Sequence, residues 1–355
     1  MDLATPLLDW YRANRRDLPF RRTRDPYAIL VAEVMLQRTR VVAGVPYFER
    51  FLAAFPTVVD LAKASEEEVL KAWEGLGFYG RARNLHRAAQ SIVEFHGGRV
   101  PSRFADLREF PGIGDYTAGA VASIGFGEQV PAIDGNAVRV LARVFRLRGD
   151  LSRGDAKRRL HGIAASLVPS DEPGSYNQAL MELGATICIP RAPRCSVCPI
   201  RSMCGAYAEG RPAAYPEPRR VAVTPTVRVA FVLVERDGKV LLHKRPAKGL
   251  LAGFWALPGG EIADAIDEAE ALRTALRSMG LHVRVREPVA RADHTFSHRC
   301  WEGQVHRGRL VGRPSLSPEF RWASFEEIRD LPLVSFHRRI LERVAFPPRR
   351  PTRLV

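Results

Sequence analysis

Cys188-Ile-Pro-Arg-Ala-Pro-Arg-Cys195-Ser-Val-Cys198-Pro-Ile-Arg-Ser-Met-Cys204 packs four cysteines into seventeen residues at the spacing C-x6-C-x2-C-x5-C, and the only other cysteine of the chain is Cys300. Thiolates this close in sequence can converge on one centre, which leaves a disulfide cage, a zinc site or an iron–sulfur cluster. Disulfides are the weakest of the three. Met1 to Asp9 is mixed in character, and no apolar run of about twenty residues occurs, so the chain reads as a soluble protein of a reducing, cytoplasmic compartment. Zinc sites usually come as paired C-x2-C knuckles. Only one such pair is present, and the longer gaps on either side suit a cubane cluster held by all four thiolates, which puts a cluster ahead of zinc.

Outward from this run, the 355 residues are long enough for two domains, and 46% apolar residues suffice for two cores. A formal charge of +15, from 54 basic and 39 acidic residues, makes a polyanion the simplest partner. From Thr5 to about Tyr207 apolar residues recur at three and four, with Gly and Pro as punctuation, so this part is read as helical. The Pro-rich stretch Arg211 to Arg220 reads as a semi-rigid linker. Beyond it, Val227-Arg-Val-Ala-Phe-Val-Leu-Val-Glu235, a turn at Asp237-Gly238 and Val240-Leu-Leu-His243 predict a β-hairpin, followed by a helix from Asp264 to Met279 and a closing helix from Ser335 to Val344. The expected organisation is a multi-domain chain: an all-α domain at 1–207 with the cysteine loop at 188–204, a linker at 208–224, and an α+β domain at 225–355.

Three segments of the helical part carry chemistry. Leu107-Arg-Glu-Phe-Pro-Gly112-Ile-Gly114-Asp-Tyr-Thr-Ala-Gly119 reads as a helix end, a two-glycine hairpin and the start of a second helix, whose free N–H groups can dock a phosphate oxygen. Glu33 lies in Ala28-Ile-Leu-Val-Ala-Glu-Val-Met-Leu-Gln37, a helix apolar almost all round, with Gln37 and Arg40 on the same face. A carboxyl desolvated there has a raised pKa, as a general acid requires; pairing with Arg38 or Arg40 is the plainer explanation. Asp134, in Ile133-Asp-Gly-Asn136-Ala-Val-Arg139, stands where an N-cap belongs. Capping explains the residue without catalysis, and it also predicts a carboxylate held ionised by backbone N–H bonds. One protonated and one ionised carboxyl form the pair used to cleave glycosidic bonds.

Glu33-Val-Met-Leu-Gln-Arg-Thr39, Gly75-Leu-Gly-Phe-Tyr79, Pro111-Gly-Ile-Gly-Asp-Tyr-Thr117, Asp134-Gly-Asn136 and the cysteine run, in this order, resemble the adenine DNA glycosylase branch of the endonuclease III family of helix-hairpin-helix iron–sulfur enzymes. The resemblance covers essentially the whole chain. It implies a two-lobed helical core, one 4Fe-4S cluster on Cys188, Cys195, Cys198 and Cys204, and a DNA substrate bearing adenine opposite 8-oxoguanine or guanine. It implies Glu33 as the acid that protonates adenine N7 and Asp134 as the group that stabilises or attacks the sugar, with Tyr116 and Asn136 nearby. Arg16, Leu18, Arg21 and Val41 would line the adenine pocket. Gln37, Arg38, Thr39, Leu76 and Phe78 would meet the DNA around the opposing base, with Gly112 and Gly114 on its phosphates. The bifunctional relatives' lyase lysine is replaced by Tyr116, which implies base release without strand cleavage. Arg38, Phe20 and Phe78 stand where the family usually has Gln, Trp and Tyr, and Arg38-Thr39 also resembles the thymine mismatch glycosylases.

Gly259-Gly-Glu-Ile, Arg273 and Gly280-Leu281 resemble the Nudix signature, whose acidic positions here are Ala265, Thr274, Arg277 and Ser278. The metal carboxylates are gone, so no catalytic magnesium is expected. Phe296-Ser297-His298 would be the loop that reads 8-oxoguanine. The chain is therefore expected to be a monomer acting on duplex DNA, away from membranes; the competing readings are a thymine or guanine mismatch glycosylase and a lesion-binding protein without catalysis.

Overall fold

The computed structural model describes all residues except 1, 218–222, 264–266, 297, 313–315 and 346–355. They form two compact units: one made of residues 1–64 and 80–220, the other of residues 65–79 and 221–355.

The helices of the first part of the chain are α1 (Ala4–Asn14), α2 (Pro26–Leu36), α3 (Val41–Ala54), α4 (Val58–Lys63), α5 (Glu66–Ala72) and α6 (Gly80–His96). They are followed by α7 (Phe104–Leu107), α8 (Asp115–Phe126), α9 (Gly135–Val144), α10 (Gly154–Leu167), α11 (Pro173–Thr186) and α12 (Gly205–Ala208). All but α5 belong to the first unit. Its centre is α2, with nine consecutive buried residues from Tyr27 to Met35, packed on α8; α11 packs on α1, α8 and α9. A single-face amphipathic helix could not fill that place, since neighbours cover α2 on nearly every side. Small residues set the spacing. A Cβ on Gly119 of α8 would stand 2.2 Å from the Pro131 carbonyl oxygen, and one on Gly184 of α11 would stand 2.6 Å from Asn136 Cβ. Both helices therefore approach their neighbours as only glycine allows. The hairpin between α7 and α8 turns at Gly112, with φ +76° and a phantom Cβ 2.5 Å from Asn84 Cβ.

The second unit is α+β. Its strands are β1 (Thr226–Arg236), β2 (Lys239–Lys244), β3 (Trp255–Ala256), β4 (Gly259–Glu261), β5 (Val283–Arg291), β6 (His294–Thr295), β7 (Cys300–Leu310) and β8 (Phe320–Ala323), in the sheet order β3-β2-β1-β7-β5 with β4, β6 and β8 attached to β1, β7 and β2. Antiparallel β1 and β2 form the expected hairpin, whereas β1 and β7 run parallel over nine residue pairs. Helix α13 (Glu268–Ser278) packs on β1 and β5, burying Leu272 and Leu276 against Ala230, Val232 and Val234. Helices α14 (Phe325–Asp330) and α15 (Ser335–Val344) close the chain's described part.

The units differ from the contiguous domains that the sequence suggests. Residues 65–79 fold with the later chain. The Trp255 indole N–H donates to Glu67 at 2.6 Å, and Arg338 on α15 grips Glu74 with two hydrogen bonds of 2.6 and 2.9 Å. Tyr79 packs on Phe254 with ring centroids 4.3 Å apart. Likewise residues 208–217 lie on the first unit: Tyr215 is buried, and its carbonyl accepts from Arg143 Nε at 3.0 Å. Hydrophobic periodicity reports which face of a helix is covered, not which part of the chain covers it.

Because both partners of the Arg338–Glu74 pair are mostly buried, with side chains 19% and 12% exposed, Arg338→Ala should destabilise the second unit by about 1–3 kcal/mol. Hydrogen exchange should speed up in α15 and in residues 66–72 together. Exchange that rises in α15 alone would contradict the shared unit.

Candidate active site

Asp25 accepts the Tyr27 N–H at 3.0 Å and Pro26 opens the first turn, so α2 starts where its sequence directs. Two turns on, Glu33 points into the first unit and is 8% exposed. The hairpin glycines start α8 at Asp115, which brings the Tyr116 hydroxyl onto Glu33 as a hydrogen-bond donor. Asp134 caps α9, accepting the Ala137 N–H at 2.7 Å and the Asn136 side-chain amide at 2.7 Å. Glu33, Tyr116 and the Asp134–Asn136 pair, from three separate segments, thus belong to one cluster.

Burial pushes the Glu33 carboxyl from its ordinary 4.5 up to about 7; the Tyr116 hydrogen bond opposes this, the Asp134 charge adds to it and Arg21 opposes it. The first half of the paired-carboxyl expectation therefore holds. The second half needs correction. Burial raises Asp134 as well, outweighing the Ala137 and Asn136 hydrogen bonds that lower it, so capping does not hold this carboxyl below its ordinary range. Tyr116 is raised well above its ordinary value by burial and by Glu33, which keeps it a neutral donor.

Arg16 and Arg21 converge on a residue that sequence reading does not single out. The Glu182 carboxylate, on α11, receives Arg16 Nε and Nη2 and Arg21 Nη2, each at 2.7 Å. Burial alone would raise it, yet the hydrogen bonds and charges of the two guanidiniums take it down to about 2. Its signal was the one Glu33 gave: a lone acid in an apolar helical run, Ala179-Leu-Met-Glu182-Leu. Two more arginines were also unforeseen. Arg139 donates to Asn136 Oδ1 at 2.8 Å and to the Cys188 carbonyl at 2.8 Å, so a hydrogen-bond chain runs from Asp134 through Asn136 and Arg139 to the cysteine loop. Buried Arg143 donates to the Cys188 Sγ at 3.2 Å and to the carbonyls of Ile189 and Pro190.

Cys188, Cys195, Cys198 and Cys204 line one pocket together with Arg143. Among the described residues no three Cys, His, Asp or Glu side chains close on a single ion. Four thiols round one pocket, with the Arg143 guanidinium on Cys188 Sγ, are the donor set that a thiolate-bound metal centre requires.

The other expected contacts are distributed as follows. Gln37 donates to the Thr117 hydroxyl at 2.9 Å, tying the end of α2 to α8. Arg38 takes the left-handed φ of +60°, and Thr39 lies within 3.4 Å of Arg81, whose guanidinium also caps the α2 carbonyls of Val34 and Met35. Leu18 precedes the turn at Pro19–Arg21, and Val41 opens α3. Leu76 and Phe78 fall in the segment that folds with the second unit, Phe78 at φ +49°. In that unit Phe296 and His298 sit at the tip joining β6 to β7, closed by the Phe296 N–H to the Arg299 carbonyl at 2.8 Å; Ser297, like Ala265, lies outside the described residues. Phe296 packs edge-on against Trp301 at 5.0 Å. Thr274, Arg277 and Ser278 lie on α13, where Arg277 pairs with Glu270 at 2.7 Å.

A carboxyl whose folded pKa lies above its unfolded one binds the proton more tightly in the native state, so its contribution to stability is full below about pH 4.5 and is lost as the pH rises through about 7. Glu33→Gln should remove that loss. Its stability relative to the parent protein, from urea unfolding, should rise by roughly 3 kcal/mol between those pH values. An invariant difference would mean that Glu33 is ionised throughout.

With this geometry in place, comparison with known proteins is informative. Residues 31–165 match the model of the HhH-GPD superfamily of base excision DNA repair proteins, and residues 229–343 match the NUDIX domain. The chain is 35% identical over 382 residues to the adenine DNA glycosylase of Rattus norvegicus, covering 91% of this chain and 74% of that protein, and 36% identical over 384 residues to that of Homo sapiens, covering 90% and 70%. Among solved structures, a thermostable thymine-DNA glycosylase aligns at a TM-score of 0.53 with 32% identity, covering 58% of this chain and 95% of that one. Relatives matched over about nine-tenths of this chain, a helical repair domain around the buried Glu33 and a Nudix-type second unit place the chain in the adenine DNA glycosylase family, as a base excision repair glycosylase.

Proposed function

We propose that the protein excises adenine lying opposite 8-oxoguanine or guanine in duplex DNA by hydrolysing its N-glycosidic bond, without cutting the strand. The observation that carries this is the Glu33 carboxyl, buried at a pKa of about 7, hydrogen-bonded by Tyr116 and within the field of Asp134. A base inside the duplex is out of reach, so adenine is first extruded. Protonated Glu33 then gives its proton to adenine N7, turning an anionic leaving group into a neutral one. As the bond breaks, positive charge grows on the sugar and the Asp134 carboxylate stabilises it; water then adds to C1′ and loses a proton to the ionised Glu33, which restores the acid. Asn136 holds one Asp134 oxygen and the α9 amide holds the other, which fixes the carboxylate's direction. Tyr116 orients Glu33 and supplies no amine, and Lys157 on α10 is engaged by Asp115 at 3.3 Å. This supports base release without a Schiff base.

Cys188, Cys195, Cys198 and Cys204 would hold a 4Fe-4S cluster, with Arg143 balancing thiolate charge at Cys188. Such a cluster cross-links the loop 188–204 and anchors the carbonyl on which Arg139 rests. In the second unit Phe296, Ser297 and His298 would read the oxidised base, and the Thr, Arg and Ser at positions 274, 277 and 278 leave no carboxylates there for a catalytic magnesium.

In single-turnover assays on duplexes carrying each mispair, excision should be selective for adenine. Glu33→Gln should keep duplex affinity and lose about 10²–10⁴-fold in rate. Preferred release of thymine from a thymine–guanine pair would overturn the substrate assignment in favour of the Arg38-Thr39 resemblance. Borohydride should trap no covalent adduct, and efficient trapping would refute release without strand cleavage. Cys198→Ser should lose iron and thermal stability together; a colourless parent protein with one zinc per chain would refute the cluster.

A further inference from the structure

We propose a second phosphate-binding site on the second unit, built by Arg284, Arg286 and Arg309 with Arg236 and Trp322, remote from Phe296 and His298. Arg284 on β5 and Arg309 on β7 are direct cross-strand partners, and Arg286, at the register shift between Val285 and Pro288, lines the same pocket. All three are exposed and line one pocket of about 720 Å³, which Arg236 and Trp322 complete. Like charges placed opposite each other on a sheet repel, and sequences normally relieve this with a neighbouring carboxylate. Two carboxylates, Glu235 and Asp237, also line the pocket, and each is held by an arginine other than these three. Glu235 pairs with Arg307 at 3.3 Å, and Asp237 lies 3.5 Å from Arg236, which itself stands over the Trp322 ring at 5.8 Å. Among the described residues no carboxylate pairs with Arg284, Arg286 or Arg309.

Three uncompensated guanidiniums in one pocket form a site for oxygen anions, because each presents a planar fork of donors that matches phosphate. The pocket volume admits more than one phosphate group, which favours a phosphate chain over a lone ion. Its place in the fold separates it from lesion reading. Phe296 and His298 precede β7 and Arg309 is near its far end, about 30 Å away at roughly 3.3 Å per residue. The site therefore takes either a second stretch of DNA backbone or a free polyphosphate. The inference rests on the DNA-repair reading only for the first of these sources.

The test uses the full chain first saturated with one equivalent of a mispair duplex carrying a non-hydrolysable adenosine analogue, then titrated separately with an undamaged fluorescent duplex and with inorganic tripolyphosphate. Wild type should bind one further equivalent of at least one probe. The triple variant Arg284→Ala, Arg286→Ala, Arg309→Ala should weaken that binding at least tenfold and flatten its log–log salt dependence by roughly 2–3, with single-turnover excision unchanged. Binding of the second duplex identifies backbone phosphate as the source, and binding of tripolyphosphate alone identifies a free phosphate chain. Arg273→Ala with Arg277→Ala, which removes arginines already paired with Glu270, should change binding less than twofold. Equal losses in that control, no further equivalent of either probe, or unchanged affinity in the triple variant would each overturn the site. Failure of the first, mispair duplex to bind would instead refute the proposed function, leaving the tripolyphosphate arm to be read on the free protein.

Discussion

A carboxyl group placed on a helix that is apolar on every side would cost several kcal/mol if it stayed charged and unpartnered. Glu33 on α2 avoids that cost by binding its proton up to about pH 7 and by accepting the Tyr116 hydroxyl. Much of the first unit follows from this arrangement. Tyr116 reaches Glu33 because α8 begins at the hairpin, and the hairpin needs glycine at 112, where a positive φ and the Asn84 side chain exclude any Cβ. Gly119 then lets α8 lie against Pro131, three residues before Asp134. The glycines that look like turn punctuation in the sequence are distance constraints on the acid pair.

Opposite solutions are applied to two carboxyls of the same unit. Glu182 is as buried as Glu33, yet two arginines keep it ionised at a pKa of about 2. Glu33 has one neutral donor and stays near neutrality. The difference is the number of guanidiniums within hydrogen-bonding reach, and it separates a structural carboxylate from one able to deliver a proton. The pairing of Glu182 also fixes Arg21, whose charge is felt by Glu33, so the structural ion group trims the acid's pKa. On the other side, Asn136 and Arg139 connect Asp134 to the Cys188 carbonyl, which makes the cysteine loop part of the support of that carboxyl.

The sequence made the helical first half, the hairpin, the acid on α2, the cap at Asp134 and the change of grammar after residue 224 legible, because each depends on local periodicity or on a residue type with one dominant use. Long-range partners were not legible. Nothing local in Ser65 to Tyr79 says that Glu67 and Glu74 will be claimed by Trp255 and Arg338, residues more than 180 positions away. The same holds for Tyr215, whose Pro-rich setting suggests a semi-rigid linker although its ring is buried. The direction of the Asp134 shift is hidden for a related reason: capping is a local feature that the sequence displays, whereas desolvation comes from the assembled unit.

The account turns on a carboxyl that is protonated near neutral pH in the free protein, and ¹³C NMR titration of the Glu33 side-chain carboxyl, assigned through the loss of its signal in Glu33→Gln, measures this directly. A midpoint close to 7 is predicted; a midpoint near the ordinary carboxyl value of 4.5 would show that Glu33 is ionised before DNA binds and would contradict the assignment of the resting enzyme's general acid.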